Sequence, residues 1–313
     1  MQRVVVDSAI PFIEGVLEPY FEVSYVAGSR ICHQAIKDAA ALVVRTRTLC
    51  NKELLEGTAV RAIFTATIGL DHIDQEYCTE NGIKVYSAQG CNARAVAQWV
   101  FSAIKALRGD MNFTLGIVGV GNVGREVLGI ARSLGVKTIL CDPPRMARGE
   151  SGFSSLEEVL RVSDIVTLHT PLDRTTRGMV DGEYLAKMKH GAVLLNSSRG
   201  EVVVEGAVLG DSAHTFVFDV WSGEPDISLD LLGRTTLATP HIAGYSARGK
   251  ARGTTFTVQS IGREFGVEAL QGWDCSVRYV LEEPFGFDIV GVDSALRADP
   301  GGFELLRVVR GIL

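Results

Sequence analysis

The chain has 313 residues and a mass of 33.7 kDa, enough for two domains of ordinary size. Hydrophobic residues make up 46% and charged residues 22%, a globular composition that excludes disorder as the main state. Lysine and arginine number 31 against 37 aspartates and glutamates, so the net charge is −6 and no global basic field draws the chain to nucleic acid or an anionic membrane. Glycine is abundant at 34 residues, with 9 prolines and no Gly-X-Y period, which points to tight turns and close backbone approaches to a phosphate-bearing ligand. The N-terminus reaches Asp7 before a signal-type apolar core can form, and the longest hydrophobic run is six residues, Ala39 to Val44. No membrane span is expected. The six cysteines never approach closer than 13 positions, so free thiols in a reducing cytoplasm are expected, with no local metal knuckle.

In chain order the pattern is strand, helix, strand. Val4-Val5-Val6 is a β-branched run, and Pro11 to Phe21 has helical spacing. Ala41 to Val44 is a continuous apolar strand, Asn51 to Glu56 a capped helix, and Ala62-Ile63-Phe64 and Ile83 to Tyr86 two further strands around a helix starting near Asp74. Apolar runs alternating with helices predict a parallel sheet covered on both faces. A long helix runs from Asn92 to Arg108, and a second alternation extends from Leu115 to about Leu237. The expected fold is therefore α/β, with two doubly wound parallel-sheet domains, and a short extension that includes Glu282-Glu283-Pro284 follows them.

Leu115 to Gly124 carries Gly-x-Gly-x-x-Gly after a strand and before a helix predicted over Arg125 to Leu134. Gly119 would permit the tight turn, Gly121 would let backbone approach a pyrophosphate, and Gly124 would allow close helix–sheet contact. Asn122 and Val123 complete this turn at the helix N-terminus, where N–H donors and the positive end of the helix dipole face the phosphates. The next strand, Thr138 to Leu140, ends in Cys141-Asp142. Asp142 stands 18 residues past Gly124, placed to hold the ribose hydroxyls and repel a 2′-phosphate, which favours NAD. Arg145 and Arg148 beside it keep NADP open.

Three later segments bring polar residues to the ends of apolar runs: Ala192 to Gly200 with Arg199, Phe216 to Pro225 with Asp219 and Glu224, and Thr239 to Tyr245 with His241. In an open α/β sheet such strand ends converge on one ligand crevice. A guanidinium can grip a carboxylate bidentately, and an imidazole backed by a carboxylate can exchange one proton near neutrality. Beside a dinucleotide, that set fits hydride transfer at the carbon of a 2-hydroxy acid.

In these motifs and their order, about residues 1 to 265 resemble the D-isomer-specific 2-hydroxyacid dehydrogenases. The resemblance implies a flavodoxin-like substrate domain formed by residues 1–91 and 246–265, a Rossmann NAD domain at 92–245, and a C-terminal segment at 266–313. It makes His241 the acid/base, Glu224 its partner and Arg199 the substrate anchor, with Asp142, Thr170, Asp219 and Gly244 as cofactor contacts. A narrower resemblance, to one branch of that family, rests on Arg45-Thr46, Thr65 to Asp74, Gln89 to Asn92, Cys141 to Arg145 and Gly249 to Thr255. It implies NAD-linked oxidation of a phosphorylated hydroxy acid, 4-phospho-D-erythronate, to the 2-oxo acid on the route to pyridoxal 5′-phosphate. Thr46, Thr67 and Tyr245 match that branch's substrate contacts. Arg45, with Arg47, either supplies charge for the phosphate or is a surface strand-end residue.

Two alternatives stay open: another acid of the same class (phosphoglycerate, glyoxylate or hydroxypyruvate), or a non-catalytic NADH-sensing scaffold on the same fold. Thr65 stands where phosphoglycerate-specific relatives usually carry arginine. The chain also departs from the family at Gln98, where glutamate is usual, and in the short Val202 to Thr215 stretch. Gly286 to Val290 and Pro300 to Arg307 retain fragments of a dimerisation domain, so a homodimer is expected.

Overall fold

In the computed structural model, residues 1–275 and 286–310 are described; Glu282-Glu283-Pro284 lies outside them. The chain divides into two compact units, Met1–Asn92 with Ala247–Val280, and Ala93–Ser246 with Leu281–Leu313. The C-terminal segment is thus shared between the units.

In the first unit, β1 (Arg3–Asp7), β2 (Glu22–Val26), β3 (Ala41–Val44), β4 (Ala62–Thr65) and β5 (Lys84–Ser87) form an all-parallel sheet in the order β2-β1-β3-β4-β5. This is the flavodoxin-like order. Central strands β3 and β4 are buried throughout, as a sheet covered on both faces requires. The return helix Ala247–Phe265 contributes Val258 and Ile261 to the core that holds Val4, Val43 and Phe64. Asn51 and Asp74 cap their helices by accepting from Leu54 and Tyr77 N–H groups.

Pro11 to Phe21 differs from its expectation. It forms consecutive turns, with i→i−3 bonds from Val16 to Ile13 and from Tyr20 to Leu17. Phe12 and Gly15 have φ of 62° and 82°, which a right-handed helix does not admit. Ile13, Leu17 and Phe21 still reach the core, so the four-residue spacing of apolar residues survived without the helix. The edge strand β2 that follows was not expected, because none of its residues is fully buried.

The second unit opens with the helix Ala93–Leu107. Its strands are β6 (Thr114–Val118), β7 (Lys137–Cys141), β8 (Ile165–Leu168), β9 (Val193–Asn196), β10 (Thr215–Phe218) and β11 (Leu237–Ala238), all parallel, in the order β11-β10-β9-β8-β6-β7. The order reverses between β6 and β8, the switch point at which open α/β sheets bind ligands. Two apolar clusters, one around Leu194 and Phe216 and one around Trp99 and Ile117, form its core.

The helix Ile289–Ala298 closes the β11 edge. Asp293 Oδ1 accepts the Ala238 N–H at 2.8 Å, and Arg297 donates to the carbonyls of Leu232 and Thr235 at 2.9 and 2.8 Å. Leu296 and Phe303 are buried in the core around Leu194.

Candidate active site

At the end of β6 the chain turns through Gly119, whose φ is +87°; a Cβ there would lie 2.6 Å from the His169 carbonyl oxygen beyond β8. A Cβ on Gly124 would meet the Gly119 oxygen at 2.1 Å. Both glycines are therefore imposed by the protein's own packing. Gly121 is different: a Cβ there meets nothing within 4 Å, and its φ is −78°. It caps the helix Asn122–Ser133, which begins with Asn122 and Val123 and has no side-chain cap. Free N–H groups at the N-terminus of this long helix, beside open space, form a cradle for phosphate.

Asp142 follows β7. Its Oδ2 accepts the Val120 N–H at 2.8 Å, and its Oδ1 accepts the Arg145 N–H at 3.1 Å, capping the helix Pro143–Ala147. The carboxylate therefore braces the glycine turn. Arg145 is engaged with Glu150, at 2.5 Å, and donates to the Val120 carbonyl at 2.9 Å; Arg148 meets the same glutamate at 3.0 Å. Neither arginine stands uncompensated for a 2′-phosphate. Across the switch point, the Thr170 hydroxyl is buried without a partner among the described residues, an orphan that a cofactor oxygen would satisfy. The residues present fit a dinucleotide.

Arg199 lies just past β9. Asn196 Nδ2 donates to its carbonyl at 2.9 Å, and Arg199 Nη1 donates to the Ser198 carbonyl at 2.7 Å. The following Gly200 packs so closely that a Cβ would sit 2.0 Å from the Trp221 carbonyl carbon. This contact presses the Arg199 turn against the loop after β10, a coupling the sequence did not announce.

That loop carries Asp219 and Glu224. Asp219 is buried, and its carboxylate accepts from the Thr239 hydroxyl at 2.5 Å and from the Ile242 and Ala243 N–H groups at 2.8 and 2.9 Å. Burial pushes its carboxyl up, while His241 and these hydrogen bonds pull the other way. Thr239 is also gripped by Trp99 Nε1 on its hydroxyl at 3.0 Å and by Trp221 Nε1 on its carbonyl at 2.9 Å. The segment from Thr239 to Tyr245 is thus held rigidly, although His241 has a φ of 53°. For a non-glycine residue that conformation costs about 1 kcal/mol or more, and the surrounding bonds sustain it.

Glu224 Oε1 accepts the Trp221 N–H at 2.9 Å, leaving Oε2 at 2.7 Å from His241 Nδ1. The carboxylate fixes Nδ1 as a donor, so Nε2 is the nitrogen available for proton exchange. The His241 side chain is 34% exposed and that of Glu224 17%, which leaves the imidazole accessible above a more buried carboxylate. Gly244 and Tyr245 follow, half-buried, in the same loop.

Residues 93–243 match the family described as D-isomer specific 2-hydroxyacid dehydrogenase, NAD binding domain. A protein of Bacteroides fragilis named erythronate-4-phosphate dehydrogenase is 43% identical, over 97% of this chain and 94% of its own length. One from Yersinia pestis bearing the same name is 41% identical, over 84% of this chain and 74% of its own. This chain belongs to the D-isomer-specific 2-hydroxyacid dehydrogenases. The fold agrees: the crystal structure of a glyoxylate reductase from Paecilomyes thermophila superposes with a TM-score of 0.72 at 25% identity, over 85% of this chain and 96% of that one.

As a 2-hydroxyacid dehydrogenase, the chain keeps the remaining candidates in its first unit. Thr46 is exposed just beyond β3, and Arg45 donates to the Ala9 carbonyl at 3.1 Å. The Thr67 hydroxyl lies 2.6 Å from that of Thr65, in a loop whose Ala66 carbonyl would meet a Cβ on Gly253 at 2.7 Å. Burial pushes the thiols of Cys50, Cys91 and Cys141 up to about 12, 11 and 11, so none of them is a ready nucleophile. No group of three or more metal-ligating side chains occurs among the described residues, and no described helix is long and apolar enough to cross a membrane.

Proposed function

We propose that this protein oxidises 4-phospho-D-erythronate to 3-hydroxy-2-oxo-4-phosphooxybutanoate, an oxidation that serves pyridoxal 5′-phosphate synthesis. The observation that carries the chemistry is the 2.7 Å pair of Glu224 and His241, set in the unit that also bears the dinucleotide turn. The names of the relatives carry the substrate.

When bound, NAD would supply the hydride acceptor; Gly119, Gly121, Asn122, Val123 and Gly124 would hold its phosphates, and Asp142, Thr170, Asp219 and Gly244 would be its further contacts. His241 Nε2 takes the proton of the C2 hydroxyl as the hydride leaves C2. Glu224 stabilises the imidazolium so formed and keeps the ring aligned. Arg199 holds the substrate carboxylate through its planar fork. Thr46, Thr67 and Tyr245 contact the substrate by the motif resemblance, and Arg45 supplies positive charge for its phosphate. Six cysteines without a disulfide fit a reducing, cytoplasmic setting, and a homodimer belongs to the same reading; sedimentation of the purified protein tests the dimer.

The test is to incubate the protein with 4-phospho-D-erythronate, 3-phosphoglycerate or glycolate, with NAD and a system that removes the 2-oxo acid, and to follow NADH. Turnover fastest on 4-phospho-D-erythronate is expected, with His241→Ala losing about 10²–10⁴-fold in rate while still binding NADH. Faster turnover on either other acid would overturn the substrate assignment. No turnover on any acid, with NADH bound, would make the protein a scaffold.

A further inference from the structure

Arg307 lies on the C-terminal helix Phe303–Arg310, in a segment expected only to pack or to dimerise. It belongs to the same compact unit as the Glu224–His241 pair. Phe303, 1% exposed in the core around Leu194, anchors the start of this helix. From there the Arg307 guanidinium reaches over the Tyr245 ring, 5.8 Å from its centroid, within cation–π range. Glu304 Oε1, one turn back, accepts from Arg307 Nη1 at 2.8 Å and fixes the side chain's direction. The Nε–H is buried and meets no acceptor among the described residues. A buried donor without an acceptor costs stability, a cost that a group bound beside it would relieve.

The electrostatics agree with the geometry. Burial works against the Arg307 charge, but Tyr245, Glu304 and Glu224 together outweigh it and raise its proton affinity above the ordinary value. The positive charge thus stands over the Tyr245 ring and is felt by Glu224, the carboxylate that meets His241. A substrate that carries a carboxylate and a phosphate needs cationic partners, and the overall charge of −6 supplies none.

We propose that Arg307 is a positioning residue of this active site: it reaches in from the C-terminal helix and holds Tyr245 in place for the phosphorylated hydroxy acid. The assignment of the acid rests on the function proposed above; the contact between Arg307 and Tyr245 does not. The contact is made within one chain, so the C-terminal segment takes part in the site of its own subunit.

A double-mutant cycle tests it, with Arg307→Gln, Tyr245→Phe, the pair together, and Arg307→Lys. Arg307→Gln should raise KM for 4-phospho-D-erythronate by about 5- to 50-fold and change kcat by less than about threefold. The double variant should be little worse than the poorer single variant, because Arg307 acts through Tyr245. Arg307→Lys should recover part of the KM, since it keeps the charge and loses the planar fork. Thermal unfolding and NADH binding should stay close to wild type in all four. Strictly multiplicative KM effects, or an Arg307→Gln enzyme with unchanged KM, would overturn the proposal. A wild type that oxidises 3-phosphoglycerate instead overturns the substrate reading alone, and the same cycle is then read on that acid. A wild type idle on every acid overturns both.

Discussion

The backbone N–H of His241 donates to the Asp219 carbonyl at 2.6 Å, and the Asp219 carboxylate then holds the two residues that follow His241. One buried side chain thereby fixes the loop that carries His241, the proposed acid/base. Asp219→Ala would leave two buried N–H groups and a threonine hydroxyl without their acceptor. It should destabilise the protein by about 2–4 kcal/mol and lower kcat at least about tenfold through a displaced imidazole. Urea unfolding and steady-state kinetics on the same preparations check this. A stable variant with wild-type kcat would mean that Trp99 and Trp221, through Thr239, hold the loop alone.

The glycines of the dinucleotide turn divide into two kinds, and substitution separates them. Gly124→Ala places a Cβ 2.1 Å from the Gly119 oxygen, which lies in backbone and cannot yield cheaply. It should destabilise the unit by about 2 kcal/mol or more, with cofactor binding impaired as a consequence. Gly121→Ala meets no protein atom within 4 Å and has a negative φ, so its stability should change by less than about 1 kcal/mol. Its NADH affinity should nevertheless fall about tenfold or more, because the methyl group occupies the space proposed for the pyrophosphate. Thermal melts beside fluorescence titration of NADH distinguish the two. Equal NADH affinity in Gly121→Ala and wild type would place the phosphates elsewhere.

The parallel sheets and the glycine turn were legible because their signals are local. Buried runs such as Ala41 to Val44 read as interior strands, and three glycines at fixed spacing mark one turn. Glu224 and His241 were legible through motif order, since each stands a few residues past an apolar strand. Other features depend on packing across the chain. The spacing of Ile13, Leu17 and Phe21 suits a helix or a run of turns equally, and only the positive φ at Phe12 and Gly15 decides between them. Gly200 reads as an ordinary turn glycine until Trp221 is found against it. Arg307 enters the sequence reading only as the end of a dimerisation fragment, because the tyrosine it covers lies in a distant segment.

The same engagement of charges governs cofactor choice. Asp142 stands beside the glycine turn, and Arg145 and Arg148 are both drawn to Glu150. Asp142→Ala should narrow the preference for NAD over NADP by about tenfold or more in kcat/KM, since the group that repels a 2′-phosphate is gone. It should also cost about 1 kcal/mol, because the helix Pro143–Ala147 loses its cap. Adding Glu150→Gln should improve NADP use further by releasing the two arginines. Initial rates with both cofactors decide the matter. A double variant with an undiminished preference for NAD would show that contacts outside this corner set the choice.

Asp164 ties the start of β6 to the segment ahead of β9. Its Oδ1 meets Lys189 Nζ at 2.6 Å, and its Oδ2 accepts the Thr114 N–H at 2.8 Å. The Lys189 hydrogen bond, opposed by burial and helped by the Thr114 N–H, holds the Asp164 carboxyl below the usual carboxylate range. As pH falls, the unfolded chain therefore takes up the proton at a higher pH than the folded one. The stabilisation is complete above the unfolded value of 3.8 and is lost as pH drops through the lower, folded value. Lys189 is about half exposed, so solvent screening keeps the contribution modest. Asp164→Asn should cost about 1 kcal/mol at pH 7, and the difference from wild type should shrink toward pH 3. Urea unfolding of both proteins at the two pH values measures the gap. A gap that widens on acidification would contradict the assignment, because a protonated Asp164 and an asparagine offer Lys189 the same neutral partner.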